Sequence, residues 1–318
     1  MNYITVKQFY NDNKKKLDLK VVTGEEFFSK KKIIISDINR PGLALAGFFD
    51  YFPFERIQIF GKTEFTYLKK IGKEKSQKVL NKLFSYNICC VIISRSLKSP
   101  FNFELIAKKN KIPVIISSVF TTKLISSIMI YLERKLAPKI TIHGTFIDVY
   151  GIGVLLIGRS GIGKSEITLE LIKRGHRLIS DDIIEIRKMS DDILEGSGLN
   201  VIQHHMEIRG VGIIDVKNLF GVGAVRGSQK VELIVHLEEW EKSKNYERLG
   251  MEEQYEEMLG VKVPKIILPV KPGRNMSVII EVAAMTQRLK SQGYNPAREL
   301  NKTVLKWMRK DEKDAMVE

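Results

Sequence analysis

A glycine-rich segment in the middle of the chain limits the fold more than any other feature of the sequence. Residues 158–165 read Gly-Arg-Ser-Gly-Ile-Gly-Lys-Ser, which fits the pattern G-x-x-x-x-G-K-S. The apolar run 154–157 precedes it and predicts a buried strand, whereas residues 164–174 have apolar side chains at helical spacing. A strand, a glycine-rich turn and a helix in this order predict a phosphate-binding loop.

The residues of this loop are candidate nucleotide contacts. Glycines allow backbone N–H groups to converge on phosphate oxygens, and the helix N-terminus adds positive potential. We expect Lys164 to reach the β- and γ-phosphates and the Ser165 hydroxyl to bind Mg²⁺. An ordinary turn that matches by chance is the alternative, and the flanking strand and helix argue against it. The candidate contacts are Gly158, Arg159, Ser160, Gly161, Ile162, Gly163, Lys164 and Ser165.

Two adjacent carboxylates follow the loop after a single helix. Residues 176–182 predict a short strand that ends in Asp181 and Asp182. Because only one helix intervenes, we expect this strand end and the loop to lie at the same edge of one sheet. One carboxylate can then hold Mg²⁺ while the other accepts a proton from an attacking hydroxyl. A polar turn cap is the alternative, and the neighbouring phosphate loop favours the catalytic interpretation.

Three later stretches combine charge and glycine. On an extended chain the side chains of Glu207 and Arg209 point to the same side, where the carboxylate suits Mg²⁺ and the guanidinium suits phosphate. Their spacing alone, however, favours a salt-bridged surface strand. Arg248 is a possible phosphate contact. Lys271 and Arg274 flank Pro-Gly in a basic turn, which suits an anion, although such turns are more often merely solvated.

The pattern of strands and helices predicts two α/β domains, at residues 1–136 and 137–318. In the first, strands at 32–36, 56–60, 88–94 and 112–117 alternate with helices at 63–70, 73–84, 101–109 and 121–136, which predicts a largely parallel sheet. In the second, residues 139–150 alternate apolar and polar side chains and run into the loop strand as a hairpin, which predicts a mixed sheet. The first domain has no recognisable catalytic set, so we expect a regulatory or structural role for it.

The net charge of +15 lies almost entirely in the N-terminal half. Residues 1–137 contain 25 Lys and Arg against 11 Asp and Glu, a balance of +14, but 21 of the 25 are dispersed lysines. Arginine is the favoured reader of base edges, so we expect a solvated surface and no nucleic-acid partner.

The adjacent Cys89 and Cys90 favour a reducing compartment, and no apolar run approaches a membrane span. We therefore expect a cytoplasmic protein without a membrane partner.

Taken together, the motifs of the C-terminal half resemble one family. They are His143-Gly144, Gly158 to Glu166, Ser180-Asp181-Asp182, Glu207-Ile-Arg209-Gly-Val-Gly-Ile-Ile, Tyr246-Glu-Arg248-Leu-Gly250 and Lys271-Pro-Gly-Arg274-Asn275. In order and spacing they resemble the bifunctional HPr kinase/phosphorylase family of bacteria. The N-terminal half is similar to that family in length and α/β pattern. Arg159 departs from the pattern, because an acidic or small polar residue is expected at that position.

The resemblance implies a homohexamer with a catalytic domain similar to phosphoenolpyruvate carboxykinase. It implies Mg²⁺- and ATP-dependent phosphorylation of a regulatory serine on HPr, the phosphocarrier protein of the sugar phosphotransferase system, with a role in carbon catabolite regulation. The same site would remove that phosphate with inorganic phosphate and release pyrophosphate. The implied catalytic residues are His143, Lys164, Asp181, Asp182 and Arg248, with Ser165 and Glu207 as metal ligands and Arg209, Lys271 and Arg274 as further phosphate contacts.

Two other functions remain to be weighed against this one. The basic half allows a nucleic-acid-binding regulator that hydrolyses ATP as a switch. A kinase or carboxykinase for a small molecule would share the phosphate loop but not the Lys271–Asn275 turn. Phosphorylation of HPr by the protein would separate all three.

Overall fold

A computed structural model describes residues 3–199, 204–247 and 252–315 of the protein. Contacts divide the chain into two compact units, Met1–Ala137 and Pro138–Glu318. The boundary expected after residue 136 lies one residue from this division. None of the helices in the described ranges could span a lipid bilayer.

The first unit alternates strands with helices, as its sequence pattern predicts. Phe60, Ile93 and other apolar side chains make its central strands fully buried runs, which is typical of parallel strands covered on both faces. The strands are β1 (Ile4–Thr5), β2 (Leu19–Thr23), β3 (Lys32–Ile33), β4 (Ile38–Asn39), β5 (Ile57–Phe60), β6 (Val91–Ile93) and β7 (Val114–Ser117). The helices are α1 (Val6–Asn13), α2 (Gly42–Leu45), α3 (Lys62–Ile71), α4 (Lys73–Phe84), α5 (Phe103–Lys109) and α6 (Thr121–Leu136).

Five of these strands form one sheet in the order β2-β7-β6-β5-β4. Three neighbouring pairs are parallel and only β2 and β7 are antiparallel, which confirms the largely parallel sheet. One apolar core contains Phe60 and Phe103, and a second, separate core contains Phe9 and Ile128. The expected strand at 32–36 was too long, because pairing with β1 stops at Ile33.

The second unit is built around a larger sheet. Its strands are β8 (Lys139–Val149), β9 (Ile152–Gly158), β10 (Arg177–Ser190), β11 (Ile193–Gly198), β12 (His205–Ile208), β13 (Gly212–Asp215), β14 (Ser228–Lys230), β15 (Leu233–Glu239), β16 (Gln254–Met258) and β17 (Val261–Val270). Its helices are α7 (Lys164–Lys173), α8 (Val216–Phe220), α9 (Met276–Ser291) and α10 (Pro296–Ala315). The eight-stranded sheet has the order β14-β11-β10-β8-β9-β15-β17-β16.

Both parallel and antiparallel pairs occur in this sheet, which confirms the predicted mixed sheet. Strand β15 is parallel to β9 and to β17, whereas β8 is antiparallel to β9 and to β10. The hairpin between β8 and β9 turns through Tyr150 and Gly151, with φ of 52° and 88°. Two consecutive positive φ values are typical of a type I′ turn, whose twist matches that of the strands it joins.

Strand β10 differs from its prediction. It does not end at Asp181 and Asp182 but continues to Ser190, so the two carboxylates lie in the middle of a 14-residue strand. The physical reason is the long β8 beside it, which pairs with β10 from Arg177 to Arg187. A register shift between Leu178 and Ser180 marks a β-bulge just before the aspartates. The expectation that they lie beside the loop still holds, because Asp181 pairs with Thr145, which pairs with Leu156 near the end of β9.

Candidate active site

The glycine-rich loop joins β9 to α7 and has the backbone shape that anion binding requires. Gly161 and Gly163 have φ of 82° and 98°, in the left-handed region that favours glycine. A Cβ atom on Gly161 would lie only 2.9 Å from Nη1 of Arg209. The absence of a side chain at Gly161 therefore lets the Arg209 guanidinium approach the loop backbone.

Lys164 folds back over the loop. Its ammonium donates hydrogen bonds of 2.8 Å to the carbonyl of Gly158 and 3.1 Å to the carbonyl of Arg159. These contacts hold the positive charge above the turn at the N-terminus of α7, where backbone N–H groups also face outward. Both features favour a phosphate group at this position.

A cavity of about 210 Å³ opens between the loop and the neighbouring strands. It contains four carboxylates and two cations. Phosphates added to this set would increase the negative charge, which a divalent cation would offset. Its lining residues are Ser160, Gly161, Gly163, Lys164, Ser165, Glu166, Asp181, Asp182, Glu207 and Arg209.

Asp181 is the buried member of the aspartate pair. It is 9% exposed and accepts hydrogen bonds from Oγ1 of Thr145 at 2.6 Å and from Oγ of Ser165 at 3.1 Å. Burial raises the pKa of the Asp181 carboxyl above its ordinary value, against the opposing effect of these two hydrogen bonds. The carboxylate is thereby fixed beside the hydroxyl that the loop motif provides for a metal ion.

Asp182 faces the open side of the cavity. Its side chain is 77% exposed, and its Oδ1 lies 3.6 Å from Nδ1 of His143. Its φ of 73° is in the left-handed region, which Asp tolerates better than most residues but which still costs about 1 kcal/mol or more. The conformation turns Asp182 away from the buried surroundings of Asp181. One carboxylate is therefore buried beside the Ser165 hydroxyl, and the other is exposed at the open side of the cavity.

Glu207 and Arg209 come from a β-hairpin rather than from one straight strand. Glu207 lies in β12, and the turn to β13 is closed by a hydrogen bond of 3.0 Å from the N–H of Val211 to the carbonyl of Ile208. Arg209 lies in this turn and donates a hydrogen bond of 3.3 Å to Oγ of Ser160. Both side chains line the cavity, and their roles as metal ligand and phosphate contact stay predictions.

The donor atoms of the cavity fit a magnesium ion. Ser165, Asp181 and Glu207 supply only oxygen atoms, which are the ligands that Mg²⁺ prefers. Mg²⁺ retains several waters and is held by one or two carboxylates together with substrate phosphates, so this small set is sufficient.

Several predicted site residues lie elsewhere or play another part. Gly158 and Ile162 serve packing: a Cβ atom on Gly158 would lie 2.7 Å from the carbonyl oxygen of Leu237, and Ile162 is buried in the core. The Arg159 guanidinium pairs with Glu239 at the end of β15 and does not line the cavity. Arg248 lies outside the described residues.

The basic turn also lies apart from the phosphate cavity. The Lys271 ammonium is 4.9 Å from the centre of the Trp240 ring, and Arg274 donates a hydrogen bond of 3.2 Å to the carbonyl of Pro269. Neither residue lines the cavity. The phosphate contacts of Lys271 and Arg274 stay predictions.

Sequence reasoning missed Thr145 and Glu166 as site residues. Thr145 is fully buried and donates a hydrogen bond to Asp181. It lies two residues after His143, and this spacing on a strand places both side chains on the same face of β8, so the sequence did contain an indication that Thr145 lies near the site. Glu166 follows the loop motif directly and lines the cavity. Nothing in the sequence distinguishes a glutamate that lines a cavity from an ordinary acidic residue in the first turn of a helix.

Two protein families match the chain over most of its length. Residues 4–132 match the family described as HPr Serine kinase N terminus, and residues 134–304 match the family described as HPr Serine kinase C-terminal domain. The two matches adjoin at residue 133, a few residues before the division between the two units.

Named relatives are similar across both halves. The HPr kinase/phosphorylase of Caldanaerobacter subterraneus is 50% identical over 292 residues, which is 92% of this chain and 95% of that protein. The HPr kinase/phosphorylase of Leptospira biflexa is 48% identical over 300 residues, or 94% of this chain and 92% of that protein. The structure of the Hpr(Ser) kinase/phosphatase from Coxiella burnetii is 39% identical, with a TM-score of 0.46, and covers 51% of this chain and 98% of that one.

Proposed function

The chain belongs to the HPr serine kinase family, and from this premise we propose that it phosphorylates a regulatory serine of HPr with ATP and removes that phosphate by phosphorolysis. The single observation that carries the proposal is the pair of aspartates beside the phosphate loop. Asp181 accepts a hydrogen bond from Ser165 of the loop, and Asp182 points to the open side of the same cavity. The arrangement supports proton transfer next to a bound phosphate.

In the kinase direction, phosphoryl transfer needs positioning and charge stabilisation more than covalent chemistry. Lys164 and Arg209 supply positive charge beside the phosphates, where charge shifts during transfer. Asp182 accepts the proton of the substrate serine, and His143, at 3.6 Å from its carboxylate, can orient it. In the reverse direction an oxygen of inorganic phosphate attacks the phosphorus of phosphoserine, so that the new P–O bond gives pyrophosphate while the P–O bond to serine breaks, and Asp182 returns a proton to the leaving serine oxygen.

Mg²⁺ is the metal ion that this donor set supports, with Ser165 and Glu207 as its protein ligands and Asp181 beside them. When bound, it would neutralise phosphate charge and fix the phosphate chain. Asp181 would position the hydroxyl of Ser165 by accepting its hydrogen bond, and Thr145 holds the Asp181 carboxylate by donating a second one.

A protein substrate needs a surface beside the cavity, and the hairpin that carries Glu207 and Arg209 offers one. Val211 and Ile213 on this hairpin, and Leu219 and Val222 shortly after it, are between 63% and 76% exposed. Apolar patches of this kind mark interaction sites. We propose that they contact HPr as its serine approaches Asp182.

The family resemblance also supports a homohexamer and a cytoplasmic role in carbon catabolite regulation. The free, buried Cys89 and Cys90 fit a reducing compartment. Six copies of the 36.4 kDa chain give about 218 kDa, so light scattering on the purified protein tests the hexamer directly. A mass near that of one or two chains would contradict it.

The proposed function is tested by incubating the protein with ATP, Mg²⁺ and HPr from the same organism. We expect one phosphoserine on HPr by mass spectrometry. Omission of Mg²⁺ and use of the Asp182→Asn variant are the controls, and both should abolish or strongly reduce the product. A protein that leaves HPr unmodified while it phosphorylates a small molecule would contradict the proposal.

A further inference from the structure

Thr145 is a buried residue that reaches the phosphate cavity through a neighbour. Its side chain on strand β8 is fully buried, and its Oγ1 donates a hydrogen bond of 2.6 Å to Oδ1 of Asp181. The other carboxylate oxygen, Oδ2, accepts the hydrogen bond of 3.1 Å from Ser165. Asp181 and Ser165 line the cavity and Thr145 does not. The three side chains therefore form a chain of hydrogen bonds from the interior of the sheet to the loop.

The register of β8 and β10 brings Thr145 and Asp181 together. Thr145 is the direct partner of Asp181 in the antiparallel pair, and the β-bulge between Leu178 and Ser180 sets this register. Without the extra residue of the bulge, Thr145 would pair with Ser180, and Asp181 would pair with Gly144. Bulges beside active sites re-aim side chains in this way. The bulge therefore matches the carboxylate to a hydroxyl that can hold it.

The direction of the two hydrogen bonds determines what Ser165 offers to the cavity. A carboxylate can only accept hydrogen bonds, so Thr145 and Ser165 each donate their single hydroxyl hydrogen to Asp181. The lone pairs of the Ser165 oxygen then remain available for a cation. If the Asp181 carboxylate rotated, the Ser165 hydroxyl would lose its acceptor and its fixed direction. Thr145 opposes this rotation because it holds the oxygen that Ser165 does not use.

A second buried threonine provides a comparison. Thr168 in α7 is also fully buried, but its Oγ1 has no hydrogen-bond partner among the described residues. The fold of this unit therefore tolerates a buried threonine hydroxyl without a partner. The hydrogen bond from Thr145 is of a different kind, because it is short and ends on a carboxylate, and such charge-assisted bonds are about twice as strong as neutral ones.

We infer that Thr145 is a positioning residue that sets the affinity of the phosphate loop for its divalent cation. Thr145 holds Asp181, Asp181 holds the hydroxyl of Ser165, and Ser165 is the proposed ligand of Mg²⁺. The inference rests on the proposed function. Removal of the Thr145 hydroxyl should weaken metal binding, whereas proton transfer at the exposed Asp182 should continue once Mg²⁺ is saturating.

Nucleotide binding with and without the metal is the first test. Calorimetry gives Kd for an ATP analogue that cannot transfer its terminal phosphate, in Mg²⁺ and in EDTA. The proteins are the wild type, Thr145→Val, which keeps the shape and loses the hydroxyl, Thr145→Ser, which keeps the hydroxyl, and the matched control Thr168→Val. We expect Thr145→Val to bind about tenfold more weakly in Mg²⁺, as for the loss of one charge-assisted hydrogen bond, and unchanged in EDTA. Thr145→Ser and Thr168→Val should bind like the wild type in both buffers.

The dependence of HPr phosphorylation on Mg²⁺ is the second test. Thr145→Val should need about tenfold more Mg²⁺ for its half-maximal rate and should reach a kcat close to that of the wild type at saturating Mg²⁺. A purely structural role would instead lower kcat and the melting temperature without a change in the Mg²⁺ requirement. If Thr145→Val does not fold, Thr145→Cys takes its place, because a thiol is a weaker donor, and the change should have the same direction.

Equal Kd values for the wild type and Thr145→Val in Mg²⁺ would overturn the inference. The same loss in EDTA as in Mg²⁺, or the same loss in Thr168→Val, would overturn it as well. Failure of the wild type to phosphorylate HPr would instead refute the proposed function. The calorimetric test contains no HPr, so it decides the role of Thr145 separately.

Discussion

The hydroxyl of Ser165 donates a hydrogen bond of 3.1 Å to Oδ2 of Asp181, and this contact joins the phosphate loop to strand β10. It gives the adjacent aspartates different surroundings. Asp181 is 9% exposed and tied to the loop, whereas the Asp182 side chain is 77% exposed and lies beside His143. The fold therefore places two neighbours in the sequence in different environments, and this difference is the basis of the separate roles that we propose for them.

Replacement of Asp182 should affect the chemical step rather than the binding of nucleotide. Asp182→Asn preserves the shape and removes the base, so we expect kcat to fall by a factor on the order of 10²–10⁴. Nucleotide affinity, measured by equilibrium binding, should be nearly unchanged, because Asp182 is not tied to the loop. If nucleotide binding and the Mg²⁺ requirement change instead, the roles of Asp181 and Asp182 are reversed.

Lys164 should be needed in both directions. Its ammonium lies above the loop, and in the proposed function phosphate binds there in the kinase and in the phosphorolysis reaction alike. We expect Lys164→Ala to weaken nucleotide binding and to lower both rates by about 10²-fold or more. Initial rates in each direction on one folded preparation measure this. Normal turnover together with unchanged affinity would remove Lys164 from the mechanism.

The sequence predicts the glycine-rich loop and its flanking strand and helix well because the signals for them are local. The loop, its lysine and its serine lie within eight residues, and their strand and helix follow from apolar spacing. The lengths of β10 and β8 and the contact of Asp181 with Thr145 depend on pairing between distant segments. No pattern within β10 alone indicates that the strand continues past its two carboxylates, so the predicted strand end was wrong.

Arg274 allows the two interpretations of the basic turn to be separated. One interpretation is capture of free phosphate, for which Arg274→Ala reduces phosphorolysis more than kinase activity, and the other is a turn that is merely solvated. In the structure Arg274 does not line the phosphate cavity but lines a more open cavity of about 390 Å³ that shares Glu166 with it. We expect Arg274→Ala to reduce phosphorolysis of phosphorylated HPr more than kinase activity. Equal losses in both directions, with a lowered melting temperature, would make the turn purely structural.

The cluster around Glu281 in α9 should make stability depend on pH. Its carboxylate accepts hydrogen bonds of 2.9 and 2.7 Å from Arg174, at the end of α7, and is 2.9 Å from Nε2 of the buried His176. The hydrogen bonds from Arg174 and then His176 hold the pKa of Glu281 below its ordinary 4.5. A lowered pKa stabilises the fold above pH 4.5, and this contribution is lost as the pH falls through the folded pKa.

Glu281→Gln should consequently lower the urea midpoint of the C-terminal unit at pH 7. The difference from the wild type should persist to about pH 5 and shrink below pH 4.5. Tryptophan fluorescence is a suitable probe, because both tryptophans, Trp240 and Trp307, lie in that unit. A difference that is the same at pH 7 and at pH 3.5 would mean that the charge of Glu281 does not contribute.

What the sequence could not predict are the partners of isolated charges. Arg159 stood out as an unusual loop residue, but only the fold brings Glu239 of the parallel neighbour β15 beside it. Lys271 likewise meets Trp240 across the ends of β15 and β17. Such pairings arise from the register of parallel strands, which local spacing does not encode.

The central claim is that one site runs the reaction in both directions, and the fate of inorganic phosphate tests it most directly. HPr phosphorylated on its serine is incubated with the protein, Mg²⁺ and ³²P-labelled phosphate. We expect one labelled pyrophosphate for each phosphoserine lost and no reaction with Lys164→Ala. Loss of phosphoserine without added phosphate, with release of free phosphate and no labelled pyrophosphate, would indicate hydrolysis and contradict the account.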